Sequence, residues 1–118
     1  MLKKQNRITS TFEYNITRKY GRHYRGDFFH IFILKPKDYT GPTKVGIVIS
    51  NRFDKRSTKR NRIKRLFREA VRNNFDKLDK IDTGLWVVIQ PKFNSFNKTY
   101  EEICLELNKV LQKASLSD

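Results

Sequence analysis

The chain has 118 residues, with 26 Lys or Arg against 12 Asp or Glu and a formal net charge of +14. Its 37% hydrophobic and 13% aromatic residues exclude a disordered tail, and no apolar run approaches the roughly 20 residues of a membrane span. These values predict one folded domain, 1–118, with a polyanionic partner. The lone Cys104 excludes an intramolecular disulfide, and the N-terminus is too polar for a signal peptide, so we expect a cytoplasmic protein.

A short helix is predicted near the N-terminus. Residues 9–11 offer hydroxyl groups for its N-cap, and Phe12 and Ile16 stand four residues apart, as on one face of a helix. Gly21 suits the position just after its end. Residues 22–25 are then expected to form a basic loop.

Two strands should follow this helix. Residues 28–34 are apolar, aromatic and β-branched, which predicts a well-covered strand. Turn-forming residues over 35–42 precede a second strand, 44–50, expected to run antiparallel to the first. Gly46 lies inside that strand and indicates a bulge or a close approach by another group.

The second half of the chain predicts helix, strand and helix. A long helix should run from Ser57 or Thr58 to about Phe75, with the apolar positions Ile63, Leu66, Phe67, Ala70 and Val71 on one face. A buried strand is expected over 84–90, and a loop over 94–97. A capping box at Thr99 and Glu102 begins the last helix, whose apolar face is Ile103, Leu107, Val110, Leu111 and Ala114. The order α-β-β-α-β-α predicts an α+β sandwich around one mixed sheet.

The long helix concentrates the positive charge. Between Arg52 and Arg72 there are ten basic residues and two acids, a net +8 in 21 residues. Such like charges repel on a helix surface, whereas an ordinary solvated face mixes signs. Arginine forks can grip phosphate oxygens bidentately, so we predict a nucleic-acid-binding surface, with Asn61 adding a donor and an acceptor. The predicted RNA-binding residues are Arg52, Lys55, Arg56, Lys59, Arg60, Asn61, Arg62, Lys64, Arg65, Arg68 and Arg72.

Catalytic and metal-binding patterns are missing from the sequence. His23 and His30 stand seven residues apart without nearby ligands at metal-binding spacing, and we interpret them as structural or solvated. The acids are scattered, and no phosphate-binding loop or nucleophile elbow is present. We therefore predict neither a catalytic residue nor a metal ligand. Aromatic residues of the first helix and first strand could stack on unpaired bases, although phenylalanines on a sheet usually belong to the core.

The segment 59–70 resembles the "RNR" signature of the bacterial ribonuclease P protein family. Arg60, Asn61 and Arg62 match the motif, as do Lys64 and Arg65. The strand before it, the strand around Trp86 and the closing helix also fall where that family has them. The chain departs from the family in the loop 50–58, which lacks the usual glycine and Ala-Val, and at Ile16, where an aromatic is usual.

This resemblance implies a fold like domain 2 of ribosomal protein S5, with a left-handed β-α-β crossover around the basic helix. The helix would dock on ribonuclease P RNA, and a cleft formed by Phe12, Ile16 and Phe32 would hold the 5′ leader of precursor tRNA. Catalysis would belong to the RNA and its Mg²⁺ ions, with no obligate protein partner and no membrane. The protein would thus be a non-catalytic subunit of an endoribonuclease that produces the mature tRNA 5′ end.

Three other functions compete with this interpretation. A ribosomal or other structural RNA-binding protein would keep the basic helix without affecting tRNA processing. A DNA-binding transcription factor is disfavoured because strands, rather than a helix-turn-helix, surround the basic helix. A self-sufficient nuclease would need several acids converging on one site.

Overall fold

The computed structural model describes residues 3–49 and 57–116. In these residues a four-stranded sheet has the order β1-β2-β4-β3. Its strands are β1 (Arg22–Arg25), β2 (Phe29–Leu34), β3 (Lys44–Ile47) and β4 (Trp86–Pro91). The helices are α1 (Thr11–Tyr20), α2 (Ser57–Asn73), α3 (Phe75–Ile81) and α4 (Tyr100–Leu116), and short 3-10 turns cover Lys4–Asn6 and Phe93–Asn97. The predicted α+β class with one mixed sheet is confirmed.

In the sheet, β4 lies between β2 and β3. β2 pairs antiparallel with both β1 and β4, whereas β3 pairs in parallel with β4. β2 and β3 therefore run in opposite directions, as predicted, but they do not pair. The parallel pairing requires the crossover through α2 and α3, because two parallel neighbours cannot be joined by a tight turn.

The residues 22–25, predicted as a loop, form the edge strand β1. This prediction was wrong because the charges of Arg22 and Arg25 obscured the alternation of apolar and polar residues that is typical of a strand. β1 pairs with β2 along its whole length, and Tyr24 packs against the core while its neighbours stay exposed. Exposed charges are common on edge strands, where they discourage further pairing.

The helix predicted to run to about Phe75 ends at Asn73, and α3 begins at Phe75. Asn74 separates the two: its side-chain amide donates to the Ala70 carbonyl oxygen at 2.7 Å, a local bond that competes with helix continuation. Leu78 of α3 is buried. The helix α3 is an amphipathic segment that the sequence analysis did not predict. The predicted loop 94–97 falls within the 3-10 turn Phe93–Asn97.

Three predicted helix boundaries are confirmed. Ser10 accepts a hydrogen bond from the Glu13 backbone amide at 3.1 Å and caps α1, and the amide of Gly21 closes its end on Thr17. At α4, the Thr99 hydroxyl accepts from the Glu102 amide at 3.3 Å, while the Glu102 carboxylate accepts from the Thr99 amide at 3.2 Å. This reciprocal pair is the capping box.

The hydrophobic core lies between one face of the sheet and the helices α2 and α4. Phe67 of α2 is fully buried and contacts Phe29 of β2 edge to face, with ring centroids 5.6 Å apart. Leu66 is partly buried, and the other apolar residues predicted on the two helices are buried. Because this packing buries one face of α2, the basic residues of the helix point outwards.

Candidate nucleic-acid interface

The outer face of α2 carries the predicted RNA-binding residues. Those within the described part of the chain are at least partly exposed, namely Lys59, Arg60, Asn61, Arg62, Lys64, Arg65, Arg68 and Arg72. Arg52, Lys55 and Arg56 lie outside the described residues. The helix therefore separates a buried apolar side from an exposed basic side, as its sequence periodicity predicts.

Few acidic groups neutralise this basic face. Arg72 forms an ion pair with Glu69 at 3.3 Å, one turn away on the same helix, and Arg62 donates to the Phe96 carbonyl oxygen at 3.2 Å. Arg65 and Arg68 have no acidic partner among residues 3–49 and 57–116. Neighbouring cations on a helix repel each other. A polyanion bound to this face would relieve that repulsion, so its binding is electrostatically favourable.

The opposite face of the sheet is crossed by α1, which packs on β2 and β4. His23, Phe32, Val88 and Gly46 form one row across the four strands on this face. α1 buries Glu13 and Thr17, so the buried side chains that this helix itself contributes are polar. The Glu13 carboxylate accepts from Lys44 Nζ at 2.8 Å, and this hydrogen bond raises the pKa of the lysine.

The three predicted leader-binding residues lie on the same side of the sheet. Phe12 is 67% exposed, and Ile16 and Phe32 are partly buried. Tyr14 lies over Gly46 of β3. Phe12 is two residues earlier, about 200° around the helix, so helical periodicity directs Phe12 and Ile16 towards β2, where Phe32 lies. Whether these three side chains hold an RNA leader stays a prediction.

Two histidines join Phe32 in an aromatic cluster that the sequence reading did not identify. His23 stacks on Phe32, with ring centroids 4.7 Å apart and an interplanar angle of 11°, and its Nε2 lies 2.7 Å from Nδ1 of His30. Partial burial lowers the pKa of His30, and the nearby charges of Lys92, His23 and Arg25 lower it further. Recognition of β1 as a strand would have placed His23 diagonally opposite His30 across the hairpin.

A second group, also missed from sequence, gathers where α1, α2 and β3 meet. Arg7, Tyr14 and Arg68 line a small cavity together with residues of β3. The predicted close approach at Gly46 is confirmed here, because a Cβ at this position would lie 2.5 Å from Cε1 of Tyr14. The sequence signal for this group was Gly46 itself, because a glycine inside a strand indicates a close approach by another group.

Across 3–49 and 57–116, no three His, Cys, Asp or Glu side chains converge on one point to hold a metal ion. Cys104 is partly buried on α4, with its sulfur 3.9 Å from the Asn74 side-chain nitrogen. None of the helices in the described ranges has the length and apolar character that a membrane span requires.

The fold and this interface define a small, basic α+β protein with one strongly cationic helix face. The family model described as Ribonuclease P matches residues 2–115. The ribonuclease P protein component of Finegoldia magna is 36% identical over 112 residues, 95% of this chain and 93% of that protein. The component of a Picosynechococcus species is 32% identical over 115 residues, 98% and 95% of the two chains. The chain belongs to the ribonuclease P protein family, which confirms the resemblance.

Solved structures support the fold independently. The ribonuclease P protein of Thermotoga maritima superposes with a TM-score of 0.72 at 24% identity, covering 91% of this chain and 96% of that one. The Staphylococcus aureus protein gives a TM-score of 0.73 at 18% identity, covering 94% and 96%. The three-dimensional arrangement is thus shared with these proteins although fewer than one residue in four is identical.

Proposed function

We propose that this chain is the protein subunit of a bacterial ribonuclease P and promotes removal of the 5′ leader from precursor tRNA by a catalytic RNA. The observation that carries the proposal is the nearly acid-free outer face of α2, which displays the family's Arg60-Asn61-Arg62 motif on a helix anchored to the core by its other side. Membership of the family supplies the identity of the polyanion, ribonuclease P RNA.

In this proposal the two sides of the molecule contact different RNAs. The α2 face binds the RNA subunit, and the exposed sheet face with α1 binds the single-stranded leader through Phe12, Ile16 and Phe32. Unpaired bases can stack on aromatic side chains, whereas paired bases in a duplex cannot. This division lets one small protein hold substrate and catalyst at the same time.

Catalysis and its Mg²⁺ ions are assigned to the RNA, with none bound by the protein alone. The protein's part is electrostatic and positional. Its cations replace part of the counterion atmosphere around closely packed RNA, which lowers the Mg²⁺ concentration needed to bring substrate and RNA subunit together.

The primary test is cleavage of precursor tRNA by a bacterial ribonuclease P RNA at low Mg²⁺, with and without the protein. We expect cleavage at the mature 5′ end only when both components are present. Cleavage by protein alone would establish a self-sufficient nuclease instead. RNA binding without rescue of cleavage, repeated with the cognate RNA, would favour a ribosomal type of RNA-binding protein.

A charge-matched pair of variants tests the α2 face. Arg65→Ala with Arg68→Ala should weaken binding to the RNA subunit and reduce the slope of log K against log salt by about 0.7–0.9 per lost phosphate contact. Lys37→Ala with Lys109→Ala removes the same charge from exposed positions elsewhere and should leave the slope nearly unchanged. Equal slopes for the two double variants would show that α2 contributes only net charge.

A further inference from the structure

A small cavity lies where the N-terminal segment, α1, α2 and β3 meet. Its volume is about 40 Å³. One water needs roughly 10–15 Å³, so the cavity admits about three oxygen-sized atoms. Of the described residues, Arg7, Tyr14 and Arg68 contribute its polar lining, and Ile8 and the β3 segment 45–47 contribute the remainder. Among residues 3–49 and 57–116, no carboxylate lines the cavity.

Backbone pairing and close packing fix the positions of the residues that line the cavity. Arg7 forms a parallel bridge with Val45 of β3, and the next amide, of Ile8, donates to the Val45 carbonyl oxygen at 3.1 Å. Gly46 allows the ring of Tyr14 to lie directly against β3, where any larger residue would meet it at 2.5 Å. The three polar side chains thus start from three anchored backbone elements.

The hydrogen-bonding capacity of this group is incompletely used. Nε of Arg7 is buried and has no hydrogen-bond partner in the described part of the chain, an arrangement that is costly unless a ligand or solvent satisfies the donor. Glu13, the acid nearest to Arg7 in sequence, already accepts from Lys44 at 2.8 Å. Burial raises the pKa of Tyr14, with Arg68 lowering and Glu13 raising it less strongly, so its hydroxyl stays a neutral donor at pH 7.

We infer that this cavity binds a phosphate group of RNA, held by the guanidinium groups of Arg7 and Arg68 and the hydroxyl of Tyr14. Two guanidiniums and a hydroxyl, with no acid among the described lining residues, match the charge and acceptor geometry of a phosphate. That the phosphate comes from RNA rests on the proposed function. The site would place one backbone phosphate between the α2 face and the α1 side of the sheet.

The first test uses the isolated full-length protein and inorganic phosphate, at constant ionic strength adjusted with NaCl. The ¹H–¹⁵N signal of Arg7 Nε should shift and saturate as phosphate is added. Tyr14→Phe keeps the ring over Gly46 and removes one donor, so it should weaken the apparent affinity roughly two- to tenfold. Lys109→Met, an exposed change on α4, should leave the affinity unaltered. An Arg7 signal that phosphate does not move would overturn the inference.

The second test identifies which RNA supplies the phosphate. Arg7→Met should reduce the salt slope of binding by about 0.7 for a single-stranded leader oligonucleotide, or by about 0.9 for a duplex region of ribonuclease P RNA. The RNA whose slope falls is the occupant, and unchanged slopes for both RNAs would refute an RNA phosphate in this pocket. The phosphate titration needs no RNA, so its outcome is independent of whether the protein promotes precursor cleavage.

Discussion

The two faces of the sheet are built for different purposes. One face is covered by α2 and α4 and presents Phe29, Ile31, Val87 and Ile89, all essentially inaccessible to solvent. The other face is crossed by the single ten-residue helix α1 and presents His23, His30 and Phe32, which keep part of their surface exposed. The first face is closed by apolar packing, and the second is left available for binding.

The polar groups follow the same division. α1 packs on the sheet with Glu13 and Thr17, and the buried Arg7 Nε and Thr17 hydroxyl have no hydrogen-bond partner in the described ranges. Unmet polar groups of this kind reduce stability, and they lie beside the residues proposed to contact RNA. The comparison indicates that stability is concentrated on the α2–α4 face, whereas recognition is concentrated where packing is least complete.

The largest effect is expected from removing an aromatic of the covered face. Phe67→Ala leaves a cavity beside Phe29 and should lower the free energy of unfolding by about 3–5 kcal/mol, measured by urea denaturation. Phe32→Ala, on the other face, removes a partly exposed ring and should cost clearly less. Equal losses at the two positions would contradict the division between the faces.

Phe32→Ala should instead affect RNA binding. If an unpaired leader base stacks on this ring, its loss should weaken binding of leader-bearing precursor by about 1–3 kcal/mol, while binding of mature tRNA changes little. The two affinities are measured side by side with the reconstituted complex. Equal weakening for precursor and mature tRNA would mean that Phe32 only supports packing.

A gain in stability is expected beneath α1. Thr17 is fully buried with a hydroxyl that lacks a described partner, so Thr17→Val should raise the free energy of unfolding by about 1 kcal/mol. Thr17→Ser keeps the hydroxyl and deletes a methyl group, and it should lower that free energy by a similar amount. A destabilising valine would show that the hydroxyl is satisfied in solution.

The smallest effect concerns pH. Burial, with help from Lys92, His23 and Arg25, holds the pKa of His30 below its usual 6.5. The unfolded chain then binds this proton more readily than the folded protein, so stability falls as the pH drops through 6.5. NMR titration should show the His30 ring protonating below pH 6.5, and His30→Phe should reduce the decrease in melting temperature between pH 7 and 5.5. A His30 pKa at or above 6.5 would contradict this.

Local patterns predicted most of the elements correctly. The apolar stripes around Phe67 and Leu107 and the capping box at Thr99 depend on neighbours within a few residues, and each is present as predicted. The edge strand β1 was mistaken for a loop and α3 was not foreseen, because exposed charge and a break at Asn74 obscured their periodicity. The position of β4 between β2 and β3 depends on pairing between distant segments, which no local pattern encodes.

By itself, the sequence determined the class of fold, the basic face of α2 and the family to which the chain belongs. Helical periodicity and charge are properties of consecutive residues, so they can be read before the chain folds. Only the tertiary structure brought His23 to His30 and Phe32, and Arg7 to Tyr14 and Arg68. Those groups join residues up to 61 positions apart, and their meeting depends on strand pairing and on the crossing of α1 over the sheet.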